Sequence, residues 1–224
     1  MKAEASGRVH CYFVDEAGDL NLFNKRGQVI VGQAGVSRFF MVGVAYLPDP
    51  DEAGRQLAAL RQELLADPYF KGVPSMQPET QKTALTFHAK DDVSEVRREV
   101  FKLLPHLGAK VQVAIRSKVA LAQEAQALYR YGRKLQANEI YDDLVKRLFR
   151  NLLHKADKNE ITFARRGNSA RKEALEGAII QAKRNFMARW GNRGDRPTDI
   201  YSGYPHQYAG LGSLGISVGD LNIP

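Results

Sequence analysis

The feature that most constrains the fold of this chain is a strand-like apolar segment that runs directly into a cluster of acids. Residues 9–14 are rich in β-branched and aromatic side chains, which predicts a buried strand. The next five residues, 15–19, have the sequence Asp-Glu-Ala-Gly-Asp and are here called the acidic motif. A sheet holds a carboxylate at its strand end rigidly, while the oxygens reach a crevice. The chain is therefore expected to carry acidic groups at one edge of an α/β sheet.

Further strands and helices follow in an order typical of a mixed sheet. Apolar runs predict strands at residues 28–31, 39–46, 110–116, 160–164 and 198–201, with a short extended segment at 85–88. Apolar residues at helical spacing predict helices after the third strand. The first three strands would form an antiparallel meander, after which helices and strands would alternate. The expected fold is a mixed sheet flanked by helices.

Capping chemistry locates two helix starts. Asp49 can cap a helix whose first position is Pro50, and Glu52 can complete a capping box. A proline directly after Asp67 should end this helix. Asp92 is predicted to cap a later helix, because an apolar face at helical spacing begins beside it.

The chain is predicted to be a single domain over residues 1–224, because no linker, repeat or low-complexity segment divides it. Residues 69–84 contain several turn-forming residues and are expected to form an irregular loop. Residues 212–224 form an atypical Gly-rich tail, which is a poor helix former. The lack of a long apolar run or a signal-peptide pattern predicts a cytoplasmic protein.

The positive charge of the chain is unevenly distributed. The formal net charge is +8, and residues 116–200 carry 19 Lys and Arg against 10 Asp and Glu. The other residues carry 14 against 15, so the whole excess lies in the second half. This asymmetry favours a polyanionic partner such as nucleic acid, although a generally basic protein would show it as well.

The acidic motif has the chemistry of a divalent metal site. Hard carboxylate oxygens on a fixed backbone suit Mg²⁺ or Mn²⁺, and two such ions can activate a water for phosphodiester cleavage. The candidate metal ligands are Asp15, Glu16 and Asp19. The alternative is a capped turn between two strands, since Asp and Gly favour turns in any case.

Residues 12–19 resemble the opening of the domain-of-unknown-function 3800 family. These bacterial and phage proteins carry a D-E-[SA]-G motif on the first strand of an RNase H-like fold. Residues 39–46 are similar to the next apolar strand of the family, and the Phe-His-Ala-Lys sequence at 87–90 resembles a later element. The resemblance covers roughly residues 9–211 and implies an RNase H-like mixed sheet.

The resemblance also implies roles for individual residues. Asp15 would be the principal metal ligand with Glu16 as its neighbour, and His88 would be a further ligand or a proton-transfer group. Asp15 and His88 are therefore the candidate catalytic residues. Consecutive strand residues face opposite sides, so Asp15 and Glu16 would share one ion only if the turn begins at Glu16. His88 could equally be a hydrogen-bonded histidine at a strand end.

Two departures from the family pattern bear on activity. Ala164 stands where RNase H-like enzymes place a second aspartate on a later strand. The tail replaces the final G-L-Q-x-A-D helix of the family, and Asp220 cannot be assumed to replace its aspartate. The acidic site would then be incomplete, and a protein partner or self-association could cover the C-terminal surface.

Cationic side chains in the second half of the chain are candidate nucleic-acid contacts. Tyrosines interleave with cations after residue 128, a pattern that suits base stacking and phosphate binding. The candidates are Arg130, Arg133, Lys134, Arg165, Arg166 and Arg171. Ordinary solvent-facing positions on helices would give the same pattern.

These observations predict a divalent-metal-dependent nuclease that acts on nucleic-acid phosphodiesters, with Mg²⁺ or Mn²⁺ as cofactor. The alternative is a non-catalytic RNase H-like protein that binds nucleic acid or forms a complex. The missing acid at Ala164 and the altered tail favour this alternative. The nuclease hypothesis predicts that the protein cleaves nucleic acid and needs Asp15 to do so. The alternative predicts no cleavage, and nucleic-acid affinity that does not depend on Asp15.

Overall fold

Five strands form a single mixed sheet in this α/β protein. The computed structural model describes residues 7–80, 85–164, 172–190 and 213–219. The strands are β1 (Val9–Ala17), β2 (Phe39–Leu47), β3 (Lys110–Ser117), β4 (Lys158–Ala164) and β5 (Ser213–Gly219). Their order across the sheet is β3-β2-β1-β4-β5. The predicted α/β class and mixed sheet are thereby confirmed.

Five α-helices lie between the strands in the described residues. They are α1 (Pro50–Ala66), α2 (Ser94–His106), α3 (Lys118–Arg130), α4 (Ala137–Phe149) and α5 (Lys172–Trp190). Along the chain α1 and α2 separate β2 from β3, α3 and α4 separate β3 from β4, and α5 precedes β5. The predicted alternation of helices and strands in the second half is therefore correct.

The carboxyl ends of β1, β4 and β5 lie at the same edge of the sheet. β1 runs parallel to β4, from the pair Val9–Lys158 to the pair Val14–Phe163. β4 runs parallel to β5, and the last pair of this ladder is Ala164–Gly219. Open α/β sheets usually bind ligands outside the carboxyl ends of their strands. The end of β1, where Asp15 lies, is therefore at the edge where a site would be expected.

Aromatic packing fixes β1 between its neighbours and α4. Tyr12 and Val14 are buried on one face of β1, and the Tyr12 ring meets the Phe149 ring edge-on with centroids 5.7 Å apart. Phe149 also contacts Phe163 of β4, with the ring centroids 6.5 Å apart. Burying each of these side chains contributes about 1.5–3 kcal/mol, so the sheet and α4 stabilise one another.

The chain divides into two compact units. The first comprises residues 1–45 and 111–220, and the second comprises residues 46–110 and 221–224. The second unit has its own apolar cluster, formed by Leu64, Phe70, Met76 and Val96. Compactness does not decide whether the units fold independently, so the single domain over 1–224 stays a prediction.

The predicted cap of α1 by Asp49 and the position of Pro50 are confirmed, whereas the predicted capping box is not formed, because the Glu52 carboxylate bonds other side chains. Asp49 Oδ1 accepts a hydrogen bond from the backbone N–H of Glu52 at 2.9 Å, and Pro50 occupies the first turn. The Glu52 carboxylate accepts hydrogen bonds from Arg55 and Gln56. The helix ends at Ala66, directly before Asp67, as predicted.

The predicted strand at residues 28–31 is wrong, and with it the middle strand of the early meander. This segment makes a single antiparallel bridge, between Phe23 and Val29. Asn24 Oδ1 accepts from the backbone N–H groups of Arg26 and Gln28, at 2.9 and 3.0 Å, and so closes a tight hairpin. The Asn24 side chain thus competes with strand pairing for backbone N–H groups, and the antiparallel pairing stays short.

Two further local predictions are corrected. Residues 85–88 form a turn followed by irregular backbone and not an extended strand. Asp92 does not cap α2, because its Oδ2 accepts from the backbone N–H of His88 at 2.7 Å and Val93 occupies the N-cap position. The buried Asp92 carboxylate therefore accepts a hydrogen bond from the loop before α2 and does not cap the first turn of that helix.

The two segments predicted to be irregular contain short regular elements. Residues 69–80 lie largely within three 3₁₀ turns, Pro68–Gly72, Pro74–Met76 and Pro78–Thr80, and each begins with a proline. The Gly-rich tail contributes β5, because small residues that form helices poorly can still pair along a parallel strand. The predicted strand at 198–201 lies outside the described residues.

Candidate nucleic-acid interface and the acidic motif

The acidic motif begins inside β1 and not after it. β1 continues to Ala17, so Asp15 and Glu16 are strand residues whose side chains point to opposite faces of the sheet. Asp15 is exposed, and its Oδ1 accepts from the backbone N–H of Glu16 at 2.8 Å. The turn begins at Gly18, so the condition under which Asp15 and Glu16 would share one ion is not met.

Gly18 allows the chain to turn against β2. Its φ is +83°, a conformation that L side chains rarely adopt. A Cβ at this position would lie 2.5 Å from the Phe39 carbonyl oxygen and 3.2 Å from Ser37 Oγ. The motif therefore requires glycine for both its backbone angle and the close approach of the next strand.

Asp19 is tied to a buried lysine at the start of α3. The Lys118 side chain is 0% exposed, and its Nζ donates to Asp19 Oδ1 at 3.0 Å and to Ser37 Oγ at 3.2 Å. The backbone N–H of Asn21 also donates to Asp19 Oδ1, at 2.7 Å. The third carboxylate of the motif is thus the counter-ion of a buried ammonium, which is a structural role.

Electrostatics favour the ionised form of Asp19. Burial by itself would raise the pKa of Asp19. The hydrogen bonds from Lys118 and Asn21, together with the lysine charge, outweigh burial and hold the pKa below its ordinary value of 3.8. The Asp19 carboxylate is therefore ionised near neutral pH.

The predicted metal ligands do not form one donor set in the described residues. No group of three or more His, Cys, Asp or Glu side chains that could hold an ion occurs within those residues. Asp15 and Glu16 face opposite sides of the sheet, and Asp19 is bonded to Lys118. Mg²⁺ or Mn²⁺ binding by the acidic motif alone does not fit this arrangement, and the cofactor stays a prediction.

His88 lies in the second compact unit, whereas Asp15 lies in the first. The predicted pairing of these two side chains therefore stays a prediction. Within its own unit, His88 Nδ1 lies 3.1 Å from Asp91 Oδ2. Its carbonyl oxygen accepts from the backbone N–H groups of Asp91 and Asp92, so His88 belongs to a local turn with two acidic neighbours.

A pocket of about 890 Å³ opens beside the acidic motif, wholly within the first unit. It is lined by the hairpin that follows the motif, the second half of α3, the next turn and the start of α4. Arg130, Arg133 and Lys134, three of the predicted nucleic-acid contacts, lie in this lining. They are here called the cationic turn. Among the described residues the lining contains no Asp or Glu, so the pocket favours an anion.

The end of α3 determines where the cationic turn lies. The backbone N–H of Arg133 donates to the Leu128 carbonyl and that of Gly132 donates to the Tyr129 carbonyl, each at 3.0 Å. With φ of +69° at Gly132, these two bonds form a Schellman motif. The negative end of the helix dipole lies here and favours nearby cations, which by itself is a structural reason for their presence.

Ion pairs link some cations on or beside α3 and α4 to carboxylates, but in the described part of the chain they do not include the cationic turn. Arg147 Nη2 lies 2.8 Å from Asp143, and Arg116 Nη2 lies 2.7 Å from Glu124. Within the described residues, no ion pair links the cationic turn to a carboxylate. The other candidates, Arg165, Arg166 and Arg171, lie outside those residues.

Sequence reasoning missed Lys118 and Ser37, and with them the true role of Asp19. One signal was present, because α3 begins at Lys118 and has no acidic residue in its first turn. A cation at a helix N-terminus opposes the helix dipole and therefore calls for a partner elsewhere. That partner is 99 residues away in sequence, beyond the reach of any local pattern.

No family model and no curated protein matches this sequence. The resemblance to the domain-of-unknown-function 3800 family therefore stays a prediction. No helix in the described part of the chain is both long and apolar enough to cross a membrane.

Proposed function

We propose that this protein binds nucleic acid through the cationic turn and does so without an acidic site of its own. The observation that carries the proposal is that Arg130, Arg133 and Lys134 line one pocket, in which the structure describes no acidic lining residue. Guanidinium and ammonium groups without carboxylate partners remain available to phosphate oxygens. The excess of positive charge in residues 116–200 would add a long-range attraction for the same partner.

The proposal includes an RNase H-like arrangement of the sheet. Two features support it: β3, β2 and β1 are successive neighbours, and the later strands β4 and β5 alternate with helices and extend the sheet on the other side. The parallel pairing of β1, β4 and β5 brings their carboxyl ends together. In this view the sheet is a scaffold, and binding is carried out by side chains at the end of α3.

Removing the three charges of the cationic turn should weaken nucleic-acid binding. We expect Arg130→Ala/Arg133→Ala/Lys134→Ala to lose at least about tenfold in affinity for a labelled 20-nucleotide single strand. The dependence of log affinity on log salt should fall by about 2, at roughly 0.7 per phosphate contact. Fluorescence anisotropy over a salt series measures both quantities.

A matched control removes three charges from the second unit, in Lys71→Ala/Lys90→Ala/Lys110→Ala. All three side chains are exposed, and the change in net charge is identical. This variant should keep its affinity within about twofold. An equal loss in both triple variants would mean that net charge alone drives binding, and no binding by the wild type would overturn the proposed function.

The second candidate function is a metal-dependent nuclease. The observation that favours it is an exposed carboxylate, Asp15, near the carboxyl end of a parallel strand, where α/β sheets commonly bind ligands. It would require donors beyond the acidic motif, because the motif does not supply a set. Further acids from a partner chain or from residues outside the described ranges would meet this need.

One variant separates the two functions. Under the proposed binding function, Asp15→Asn keeps its nucleic-acid affinity within about twofold, and neither protein cleaves DNA or RNA in Mn²⁺. Asp15 is exposed and lies outside the pocket lining, which is the physical reason for this expectation. Cleavage and calorimetric Mn²⁺ titration provide the measurements. Mn²⁺-dependent cleavage that disappears in Asp15→Asn would establish the nuclease instead.

A further inference from the structure

We infer that the pocket beside the cationic turn binds a single nucleotide unit, with the base inside and its phosphate on the cations. This inference rests on the proposed function and narrows it to unpaired nucleic acid. The volume of about 890 Å³ lies within the range of roughly 300–1,000 Å³ that is usual for small-molecule sites. A nucleotide fits a cavity of this size, whereas the bases of a duplex are stacked and paired and cannot enter it.

The lining combines the two chemistries that a nucleotide presents. Leu22 and Ile140 are buried side chains of the lining, and Leu20, Phe23 and Leu135 add further apolar surface. A base has flat apolar faces, which such a surface accommodates. The cationic turn contributes three positive groups to the same pocket, and these match the phosphate charge.

Polar and aromatic groups in the lining suit the edge and face of a base. Asn21 and Gln126 each offer an amide with donor and acceptor atoms, as a base edge requires. Tyr129 is 74% exposed, so much of its surface is open to solvent. A base can stack on an aromatic face of this kind whatever its sequence. An inorganic anion would use the cations alone and leave these groups without a role.

The walls of the pocket are held in place before any ligand arrives. The Lys118–Asp19 ion pair joins the start of α3 to the segment that leads into the hairpin. Asn24 closes that hairpin, and the Schellman motif fixes the turn after α3. A pocket with fixed walls loses little conformational entropy on binding, which favours a small ligand.

The test uses 5′-AMP, adenosine and inorganic phosphate as separate probes in calorimetric titrations of the full chain. We expect AMP to bind at least about tenfold more tightly than either fragment, because only AMP engages both the apolar surface and the cations. Ala125→Phe fills the pocket from α3 and should weaken AMP at least about tenfold. Ala127→Phe is the matched control, since Ala127 is exposed on the same helix and outside the lining.

A second pair of variants keeps the inference testable if Ala125→Phe fails to fold. Tyr129→Ala should weaken AMP and a single-stranded oligonucleotide by about 5- to 100-fold, as expected for the loss of one stacked base, whereas Tyr129→Phe should keep both. Equal AMP binding by the two alanine-to-phenylalanine variants, or by the two Tyr129 variants, would overturn the inference. Phosphate binding as tightly as AMP would overturn it too, leaving a simple anion site.

The failure of this inference can be told apart from failure of the proposed function. If the wild type binds the oligonucleotide but not AMP, or if Ala125→Phe leaves oligonucleotide affinity unchanged, the nucleotide pocket is wrong and surface binding by the cationic turn stands. If the wild type binds AMP and no oligonucleotide, the pocket stands as a free-nucleotide site and the proposed function fails.

Discussion

Replacing Asp19 with alanine is expected to lower the free energy of unfolding by about 3 kcal/mol. Within the described residues, the variant leaves the fully buried ammonium of Lys118 with Ser37 Oγ as its remaining hydrogen-bond partner. Removing one partner of a buried ion pair costs roughly 3–5 kcal/mol, and the half-exposed position of Asp19 puts the expected value at the lower end. Urea denaturation followed by circular dichroism measures the change.

A double-mutant cycle identifies the cause. Lys118→Met keeps the packing of the long side chain and removes its charge, so Asp19→Ala should cost far less in that background. We expect a coupling energy of about 2 kcal/mol between the two positions. Asp15→Ala provides the matched control, as an exposed carboxylate in the same motif, and should stay within about 0.5 kcal/mol of the wild type. A cycle with no coupling would contradict the buried-pair explanation.

The same cycle has a defined pH dependence. Because the pKa of Asp19 in the folded protein lies below its ordinary value of 3.8, the carboxylate stabilises the fold above that pH. This stabilisation is lost as the pH falls below 3.8 and through the folded-state pKa. The difference between wild type and Asp19→Ala should therefore be complete near neutral pH and shrink in acid.

Replacing Gly18 with alanine should also destabilise the protein by about 3 kcal/mol. Two costs combine at this position: a positive φ of +83° and a Cβ placed 2.5 Å from a backbone carbonyl oxygen. The strained backbone angle costs about 1–2 kcal/mol, and overpacking against β2 adds about 1–3 kcal/mol. The Phe39 carbonyl is part of a strand and cannot move without disturbing the sheet. Chemical denaturation gives the total.

Gly27→Ala separates the two costs of the Gly18 substitution. Gly27 has a similar φ of +74°, but a Cβ there would have no neighbour within 4 Å. Gly27→Ala should therefore be destabilised only by the backbone strain, about 1–2 kcal/mol. If the two alanine variants were equally stable, close approach to Phe39 would contribute nothing and the explanation given for Gly18 would be wrong.

The parts of the fold that depend on local patterns were predictable from sequence. The strand near residue 9, the capped start of α1 at Asp49 and the apolar face of α4 are each determined by residues within a few positions of one another. The segment at 28–31 has a strand-like composition, but the Asn24 side chain accepts the hydrogen bond of the Gln28 backbone N–H and closes a tight hairpin there. Asp92 is likewise a residue type that commonly caps helices, but in the fold its carboxylate accepts from the backbone N–H of His88.

The candidate site was predictable only in pieces. Arg130, Arg133 and Lys134 are neighbours in sequence, so their clustering could be read directly. The opposite wall of the pocket comes from residues about 100 positions earlier, and no periodicity connects the two. The acidic motif was read as a metal site because its composition suits one. The partner of Asp19, a lysine buried at the start of a distant helix, is visible only in three dimensions.

The parallel pairing of β1 with β4 has a consequence for the newly made chain. The paired residues lie 149 positions apart, so β1 leaves the ribosome long before β4, its neighbour on one side, exists. At roughly 5–20 residues per second, the delay is about 7–30 s. During this time one edge of the apolar strand β1 lacks β4, and for most of it α4, which packs against β1, is absent as well. Charged residues beside such a strand discourage pairing with other chains, and Asp15 and Glu16 occupy that gatekeeper position at its end.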